Sequence, residues 1–314
     1  MAGQENWKGR TCKLAKSNLQ KVLELGHFAV TAEVGPPRSA DFSSLKQKAE
    51  MLRGYVDAIN VTDNQTAIVR LSSQSCCGEL ARMGIDPVFQ VTCRDRNRIA
   101  LQSDILGAVA QGARNILCLS GDHQSFGSEP QAKNVFDLDS VQLIKVVAGM
   151  TEGIFAGGDR LEAPLEAFVG AAANPFADPL ELRVRRLRKK IKAGARFIQT
   201  QCIYDMDRFA RFMEQVRAEG LDRQAKMLAG VTPLKSAKAA KYMRDKVAGV
   251  TVPDDVIRRM EAAQDPREEG IRICVETIQK LKEMPGVAGV HIMAIAWEEV
   301  VPEIARRAGL APRP

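Results

Sequence analysis

The chain has 314 residues, of which 45% are hydrophobic and 26% are charged, and its formal net charge is +7 at pH 7. This composition is typical of a globular protein with a large core and excludes a disordered or fibrous chain. No stretch approaches the roughly 18 consecutive apolar residues of a membrane helix, and residues 1–10 are polar, so we expect a cytoplasmic protein with no membrane contact.

Cysteine and histidine are too few and too scattered to predict a metal site. The seven cysteines never form a C-x-x-C motif, and the chain has only three histidines. Neither a zinc ribbon nor a disulfide framework is therefore indicated, and we expect reduced thiols and no bound metal.

Short apolar or β-branched runs alternate along the chain with amphipathic helical patterns. The eight runs are residues 28–33, 58–62, 88–92, 115–120, 167–171, 197–201, 227–231 and 290–295. A crossover long enough for a helix returns the chain in the same direction, so the strands should be parallel. The pattern predicts a TIM (β/α)8 barrel as a single domain over residues 1–314, with an N-terminal helical extension over about residues 1–25.

The connection after the fourth run is unusually long. Residues 121–137 are rich in glycine, serine, proline and glutamine, whereas a βα loop usually has about two to six residues. Long loops at the C-terminal face of a barrel often carry function, so we expect this loop to contribute to a site.

Polar residues collect where the predicted strands end. They are Glu33, Thr62, Asp63, Asn64, Thr92, Ser120, Asp122, Asn174, Gln199 and Gln201. The period of two along a strand aims Gln199 and Gln201 the same way, and unpaired amides in a dry core are costly, so a polar ligand is favoured. Three of these residues also fit a structural role: Glu33 an ion pair or a helix cap, Asp122 a turn, and Gln201 a purely structural amide.

A strongly basic segment spans residues 183–192. Leu180, Val184, Leu187 and Ile191 recur at helical spacing, which predicts an amphipathic helix with one buried stripe. Its charges suit a solvated face, a phosphate contact or a partner surface, and nucleic acid is disfavoured. A basic scaffold or nucleic-acid-binding protein built around this helix is the non-enzyme alternative.

Four short segments together resemble one enzyme family. Residues 31–37 read TAEVGPP, residues 119–122 read LSGD, residues 200–201 read TQ, and residues 189–190 read KK ahead of a glycine turn. Along nearly its whole length the chain resembles the methylenetetrahydrofolate reductases. The resemblance implies a flavin-dependent barrel enzyme that reduces 5,10-methylenetetrahydrofolate to 5-methyltetrahydrofolate. A corrinoid-linked methyltransferase barrel, which binds methyltetrahydrofolate without flavin, is the alternative.

The resemblance also assigns residues to roles. It implies that Glu33 is the general acid that protonates folate N10, that Asp122 stabilises a cationic 5-iminium intermediate, and that Gln201 binds the pterin. These three would be both catalytic and substrate-binding, and hydride would come from reduced flavin N5. The implied flavin contacts are Thr62, Gln90, Ser120, Gly121, Asp122, Phe136, Asp137, Asn174 and Lys190, with Lys190 serving the phosphate.

Several positions differ from the better-known bacterial pattern. Gln90 replaces a histidine, Ser120 an arginine and Arg183 an acid, which leaves FAD and FMN both open. Ala237 stands where the family uses a phenylalanine to stack nicotinamide and folate. The absence of that ring weakens the case for direct oxidation of NADH or NADPH, which stays one alternative for the electron donor.

The resemblance extends to partners. Residues 121–123 and 135–139 are similar to the reductases of anaerobes that use the reductive acetyl-CoA pathway. In such enzymes a cysteine-rich subunit, binding zinc or an iron–sulfur cluster, can deliver electrons to the flavin chain. We accordingly expect tetrahydrofolate as the substrate, such an electron-transfer subunit as a partner, and an oligomeric assembly.

Overall fold

A computed structural model describes residues 16–247 and 249–314 and contains a closed barrel of eight parallel strands. The strands are β1 (Ala29–Val34), β2 (Ala58–Val61), β3 (Pro87–Thr92), β4 (Asn115–Leu119), β5 (Phe168–Ala173), β6 (Phe197–Cys202), β7 (Lys226–Val231) and β8 (Val287–Ile292). Each strand pairs with its neighbour in sequence, and β8 pairs with β1. The predicted TIM barrel is confirmed, and each predicted run overlaps one strand.

Helices connect the strands and surround the barrel. They are α1 (Asn18–Glu24), α2 (Ser43–Leu52), α3 (Ser73–Arg82), α4 (Arg98–Ala110), α5 (Ser140–Thr151), α6 (Leu180–Ala193), α7 (Met206–Ala218), α8 (Leu221–Gln224), α9 (Ala237–Lys246), α10 (Asp254–Ala262), α11 (Pro266–Lys282) and α12 (Val301–Arg307). In the basic helix α6, Val184, Leu187 and Ile191 are buried, so the predicted stripe is the face that packs on the barrel. Within the described part of the chain, no helix combines the length and apolarity needed to cross a membrane.

Side chains of each strand alternate between the helix layer and the barrel interior. In β1, Val30, Ala32 and Val34 belong to the core between strands and helices. Thr31 and Glu33 have the opposite parity; Thr31 contacts side chains from other strands, and Glu33 lines the cavity described below. The same residues of a strand therefore cannot serve both the core and the site.

The lower interior of the barrel is apolar. Val88, Leu117 and Leu228 pack there with Phe168 and Phe197, whose ring centroids are 5.0 Å apart. Among the described residues this layer fills the N-terminal half of the barrel, which leaves the C-terminal end open to a ligand.

Helix α1 closes the N-terminal end of the barrel. Leu19 is fully buried against the apolar layer, and Ser17 donates a hydrogen bond to the Asn115 side chain at 2.6 Å. The Asp86 carboxylate accepts from the Leu19 backbone N–H at 2.9 Å, and burial raises the pKa of Asp86 to about 6. Residues 1–15, which include Cys12 and much of the predicted extension, lie outside the described residues.

Gly170→Ala should destabilise the protein, because a Cβ at this position of β5 would overlap the Phe197 ring. We expect the free energy of unfolding to fall by about 1–3 kcal/mol, as for overpacked cores, measured by urea denaturation. Gly157→Ala is the control, since a Cβ there meets no atom within 4 Å. Equal stability of the two variants would contradict this packing.

Candidate active site

A cavity of about 370 Å³ opens at the C-terminal end of the barrel. Its size falls in the range of roughly 300–1,000 Å³ that small-molecule sites occupy. Its apolar lining comprises Leu117, Leu119, Ala172, Ala173, Leu187 and Met293, and its uncharged polar lining comprises Gln90, Asn174, Gln199, Thr200 and Gln201. Glu33 and His291 lie together in this lining, and three cationic side chains come from α6. Such a lining suits a flat organic molecule that also carries negative charge.

A layer of hydrogen-bonded polar side chains separates the apolar interior from the cavity. Asn60 donates to the Gln199 carbonyl oxygen at 2.7 Å, and Gln199 donates back to the Asn60 oxygen at 3.1 Å. Gln199 also donates to the Thr31 hydroxyl at 3.2 Å, and Thr31 lies 2.9 Å from His291 Nδ1. The expectation that the Gln199 amide needs a ligand is therefore wrong, because Asn60 satisfies it.

Glu33 lies above this layer with little access to water. Its side chain is 12% exposed, and its Oε2 atom is 3.7 Å from His291 Nε2. Because β1 and β8 are neighbours in register, Thr31 stands beside His291, and Glu33 is one inward position further along β1. A carboxyl group in such a place can exchange a proton with a bound ligand.

Helix α6 forms a cationic wall of the cavity. Lys190 is only 9% exposed, and its ammonium donates to the Ala172 carbonyl at 2.6 Å. Burial lowers the pKa of Lys190 to about 8, with nearby Arg186 adding to the effect. Arg183 contributes a buried Nε that has no hydrogen-bond partner among the described residues. These groups make the wall a binding surface for an anion.

Five of the predicted site residues meet in this cavity. Glu33, Gln90, Asn174, Lys190 and Gln201 all line it, although they come from β1, β3, the loop after β5, α6 and β6. Asn174 is fixed by its own loop, since its side-chain oxygen accepts from the Phe176 backbone N–H at 2.9 Å. The predicted convergence of polar strand ends on one opening is therefore observed for Glu33, Asn174 and Gln201. Gln90 and Lys190, which the family resemblance implied, line the same cavity.

The other predicted contacts lie outside the cavity lining. They are Thr62, Ser120, Gly121, Asp122, Phe136 and Asp137. The Asp122 carboxylate is exposed and accepts from the Thr66 backbone N–H at 2.9 Å. Asp137 pairs with Arg98 at 2.8 Å, and that hydrogen bond lowers the pKa of Asp137 to about 2. Phe136 has a positive φ of 41° and is 42% exposed.

The long loop of residues 121–137 packs against the loop that follows β2. Ser128 accepts from the Val69 backbone N–H at 3.2 Å, and Val135 donates to the Arg94 carbonyl at 2.8 Å. Beneath both loops the buried Asp63 carboxylate pairs with Arg96 at 2.7 Å. The loop therefore forms part of the rim, next to the cavity opening.

Sequence reasoning missed two features of the site. His291 was considered only as a metal ligand, although its position on β8, two residues before Met293, gives it inward parity. Arg186 lies one helical turn before Lys190, a spacing that predicts a shared face. Within residues 16–247 and 249–314, no cluster of histidine, cysteine and carboxylate residues could hold a metal ion.

The donor set fits a flavin nucleotide. The apolar lining and the amides of Gln90 and Asn174 suit a heterocycle with polar edges, and the α6 cations suit a phosphate. A further buried donor, the Thr62 hydroxyl, lacks a hydrogen-bond partner in the described part of the chain, although it does not line this cavity. Buried polar groups without partners are costly, so a ligand for them is the simplest explanation.

Comparison with known proteins adds a family match. A family model described as methylenetetrahydrofolate reductase matches residues 18–309. The 5,10-methylenetetrahydrofolate reductase of Salmonella typhimurium is 23% identical over 297 residues, which are 91% of this chain and 93% of that protein. Methylenetetrahydrofolate reductase 1 of Schizosaccharomyces pombe is 26% identical over 72% of this chain but only 36% of its own length. The chain thus spans about a third of that yeast relative.

Solved structures match the fold at low sequence identity. An uncharacterized protein from Clostridium thermocellum that binds two copies of 5-methyl-5,6,7,8-tetrahydrofolic acid aligns with a TM-score of 0.63 and 14% identity. The alignment covers 92% of this chain and 98% of that protein. A match at this identity shows the barrel fold and nothing about the ligand.

Lys190→Met should stabilise the ligand-free protein at pH 7, because a charged ammonium is then no longer buried. The folded pKa of about 8 lies below the unfolded value of 10.5, so in the wild type stability rises as pH increases between these values. A pKa depression of this size means that the buried charge destabilises the wild type by on the order of 3 kcal/mol at pH 7. The variant also loses the hydrogen bond from Lys190 to Ala172, which offsets about 1 kcal/mol of the gain in stability.

Chemical denaturation at several pH values measures this effect. The control is Lys192→Met, an exposed lysine of the same helix, which should leave stability within about 0.5 kcal/mol. If the free energy of unfolding of the wild type does not increase between pH 8 and 10, the Lys190 ammonium is not buried in its charged form.

Proposed function

Because the chain belongs to the methylenetetrahydrofolate reductase family, we propose that it reduces 5,10-methylenetetrahydrofolate to 5-methyltetrahydrofolate with a bound flavin. The observation that carries the proposal is one cavity that holds a shielded carboxyl group, Glu33, opposite a cationic wall centred on Lys190. Reduction of this folate requires a proton for a ring nitrogen and a hydride for the one-carbon unit. A carboxyl group supplies the first, and a flavin supplies the second.

The cofactor would be held mainly by α6 and by the ends of β3 to β5. Lys190 and its neighbouring arginines would bind the phosphate, and Gln90 and Asn174 would bind polar edges of the ring system. Thr62, Ser120, Gly121, Asp122, Phe136 and Asp137 would contact the cofactor from the rim. The flavin, when bound, supplies the hydride that the one-carbon unit accepts.

Glu33 would act as the general acid. Its side chain is largely shielded from water and faces the cavity. By protonating folate N10 it would assist opening of the five-membered ring, which leaves the one-carbon unit on N5 electrophilic.

Gln201 and Asp122 would contact the pterin. Gln201 lines the cavity next to the polar layer, where an amide can match the donor and acceptor pattern of a pterin edge. Asp122 lies on the loop at the rim, and its negative charge would stabilise positive charge that develops on the folate. Its Oδ2 accepts from the Thr66 N–H, and because a carboxylate has about four acceptor sites, this bond can persist while the carboxylate faces the ligand.

The electron source is a separate part of the proposal. FAD and FMN both fit a site whose strongest cofactor contact is a phosphate. NADH or NADPH would reduce the flavin directly, or a cysteine-rich subunit would deliver electrons, as in the acetyl-CoA-pathway enzymes that the chain resembles. We also propose an oligomeric assembly.

The test of the proposed function is the identity of the cofactor together with two half-reactions. The purified protein should be yellow, and heating should release FAD or FMN, which mass spectrometry distinguishes. Chemically reduced protein should be reoxidised by 5,10-methylenetetrahydrofolate with formation of 5-methyltetrahydrofolate. A colourless protein that binds methyltetrahydrofolate would instead support the methyltransferase alternative.

Glu33→Gln should separate the two half-reactions, because the amide keeps the shape of the side chain but has no acid proton. We expect flavin content and flavin reduction by dithionite to be unchanged, and folate reduction to slow by about a hundredfold or more. Stopped-flow absorbance of the flavin follows both steps.

Glu298→Gln serves as the matched control, since Glu298 is also buried, pairs with Lys48 and does not line the cavity. Its folate half-reaction should proceed at the wild-type rate. If the Glu33→Gln variant reduces folate at the wild-type rate, Glu33 is not the general acid.

A further inference from the structure

We propose that Arg94 is a positioning residue for Asp122, because its guanidinium joins two loops at the cavity mouth into one rigid rim. The loops are the β2 loop (residues 62–72) and the β4 loop (residues 121–137). This inference rests on the proposed function, in which the Asp122 carboxylate faces the folate. Arg94 does not line the cavity and acts through the backbone that carries Asp122.

The guanidinium of Arg94 is buried between the starts of the two loops. Its side chain is 3% exposed, although it lies only two residues beyond β3 at the rim of the barrel. Nη1 donates to the Asp122 carbonyl at 3.0 Å, and Nη2 donates to the Asn64 carbonyl at 3.2 Å. Nε and Nη2 also donate to the two Asp95 carboxylate oxygens, both at 2.7 Å. One side chain therefore links the β4 loop to the β2 loop.

The backbone of Arg94 holds the other end of the β4 loop. Its carbonyl accepts from the Val135 N–H at 2.8 Å, and the neighbouring Cys93 carbonyl accepts from the Phe136 N–H at 3.2 Å. At the near end, a Cβ on Gly121 would lie only 3.1 Å from the Arg94 Cβ, so the loop backbone passes close to this residue. The β4 loop thus begins and ends against Arg94.

The β2 loop has a backbone that needs support. Asn64, Thr66 and Ala67 all have positive φ, with values of 44°, 57° and 55°. This conformation is uncommon for residues other than glycine and persists only where surrounding contacts hold it. Arg94 holds the Asn64 carbonyl. The Asp122 carboxylate accepts from the Thr66 N–H at 2.9 Å, so the β4 loop supports the β2 loop in turn.

The two loops also touch beyond these points. The Ser128 N–H donates to the Ala67 carbonyl at 3.3 Å, and a Cβ on Gly127 would overlap that same carbonyl. The Ser128 hydroxyl accepts from the Val69 N–H at 3.2 Å. Because the backbones are in direct contact, a shift of one loop displaces the other.

Asp122 is consequently fixed at two points. Its carbonyl is held by Arg94, and its Oδ2 is held by the Thr66 N–H. A carboxylate has about four acceptor sites, so others remain for a ligand. A charge that stabilises a cationic folate is most effective when it is in place before the reaction, because moving it into place during the reaction costs free energy. Arg94 supplies this preorganisation.

Only an arginine can make this set of contacts. Its planar guanidinium presents five N–H donors in fixed directions and stays charged throughout the physiological pH range. The contacts to one carboxylate and two carbonyls use all three of its nitrogens. A lysine ammonium is a single point charge on a flexible stem, and it cannot reach all three groups at once.

The deciding experiment is a double-mutant cycle of Arg94→Lys and Asp122→Asn, measured on the folate half-reaction of chemically reduced protein. Asparagine keeps an acceptor for the Thr66 N–H but carries no charge. Alone, Arg94→Lys should slow this step about tenfold to hundredfold, because the carboxylate is then misplaced. In Asp122→Asn protein the same substitution should change the rate by less than about threefold. An equal loss in both backgrounds would overturn the inference, because a general structural defect does not depend on the charge at residue 122.

Arg313→Lys is the matched control at the opposite end of the barrel. Arg313 also binds one carboxylate, that of Asp57, and two backbone carbonyls, those of Phe28 and Leu310. Its side chain is 10% exposed. We expect this variant to lose stability as Arg94→Lys does, while its folate half-reaction keeps the wild-type rate. A control that slows the folate step as much as Arg94→Lys would also overturn the inference.

Asp95→Ala keeps the test decisive if Arg94→Lys folds poorly. The Asp95 side chain is 35% exposed, and its carboxylate orients the Arg94 guanidinium through two hydrogen bonds. Its removal should slow the folate half-reaction by a smaller factor than Arg94→Lys, and only while the Asp122 carboxylate is present. A loss that persists unchanged in Asp122→Asn protein would count against the positioning role.

Hydrogen exchange of the ligand-free protein provides a readout that does not depend on activity. In Arg94→Lys protein, backbone amides of the β2 loop and the β4 loop should exchange about tenfold faster than in wild type, and by similar factors, because one side chain restrains both. Arg313→Lys should leave both loops at the wild-type rate. Faster exchange in only one loop would refute the link through Arg94. A wild type that reduces no folate would refute the proposed function instead, while the joint change of the two loops would still report this link.

Discussion

The alternation of side chains in eight strands of a closed barrel is the constraint on which the remainder of the structure depends. Every second residue must point into an interior that has no free edge and little space. In the lower half these residues are apolar and include the stacked Phe168 and Phe197. Above them, Thr31, Asn60 and Gln199 are polar and must satisfy one another, because water does not reach them. Only above this layer does the barrel open into a cavity.

The position of the cavity follows from that layering. Glu33 belongs to the same inward row of β1 as Thr31, and so it emerges where the polar layer ends. The environment of Glu33 is therefore shaped by groups below it that are rigidly hydrogen-bonded. A carboxyl group held in this way has one open side, which faces the cavity.

Helix α6 shows how one amphipathic element can serve both stability and binding. Its apolar stripe packs on the barrel, and Lys190 is carried on the edge of that stripe into a buried position, where its ammonium donates to the Ala172 carbonyl. The buried ammonium destabilises the folded protein, and a bound anion would offset this destabilisation. From the sequence alone, the excess of positive charge fits a solvated helix face equally well. The structure places part of that charge, on α6, in the lining of the cavity.

The sequence by itself determined the barrel, the identity of its strands and the buried stripe of α6, because these follow from local periodicity. It also predicted that Glu33, Asn174 and Gln201 would lie near one opening, since the ends of parallel strands share one face. Gln90 and Lys190, which also line the opening, were implied only by the family resemblance. Only the tertiary structure decided that Asn60 satisfies Gln199 and that His291, 260 positions from Thr31, stands beside it. The physical reason is that barrel closure pairs β8 with β1 in a definite register, and this pairing leaves no local signal in either strand.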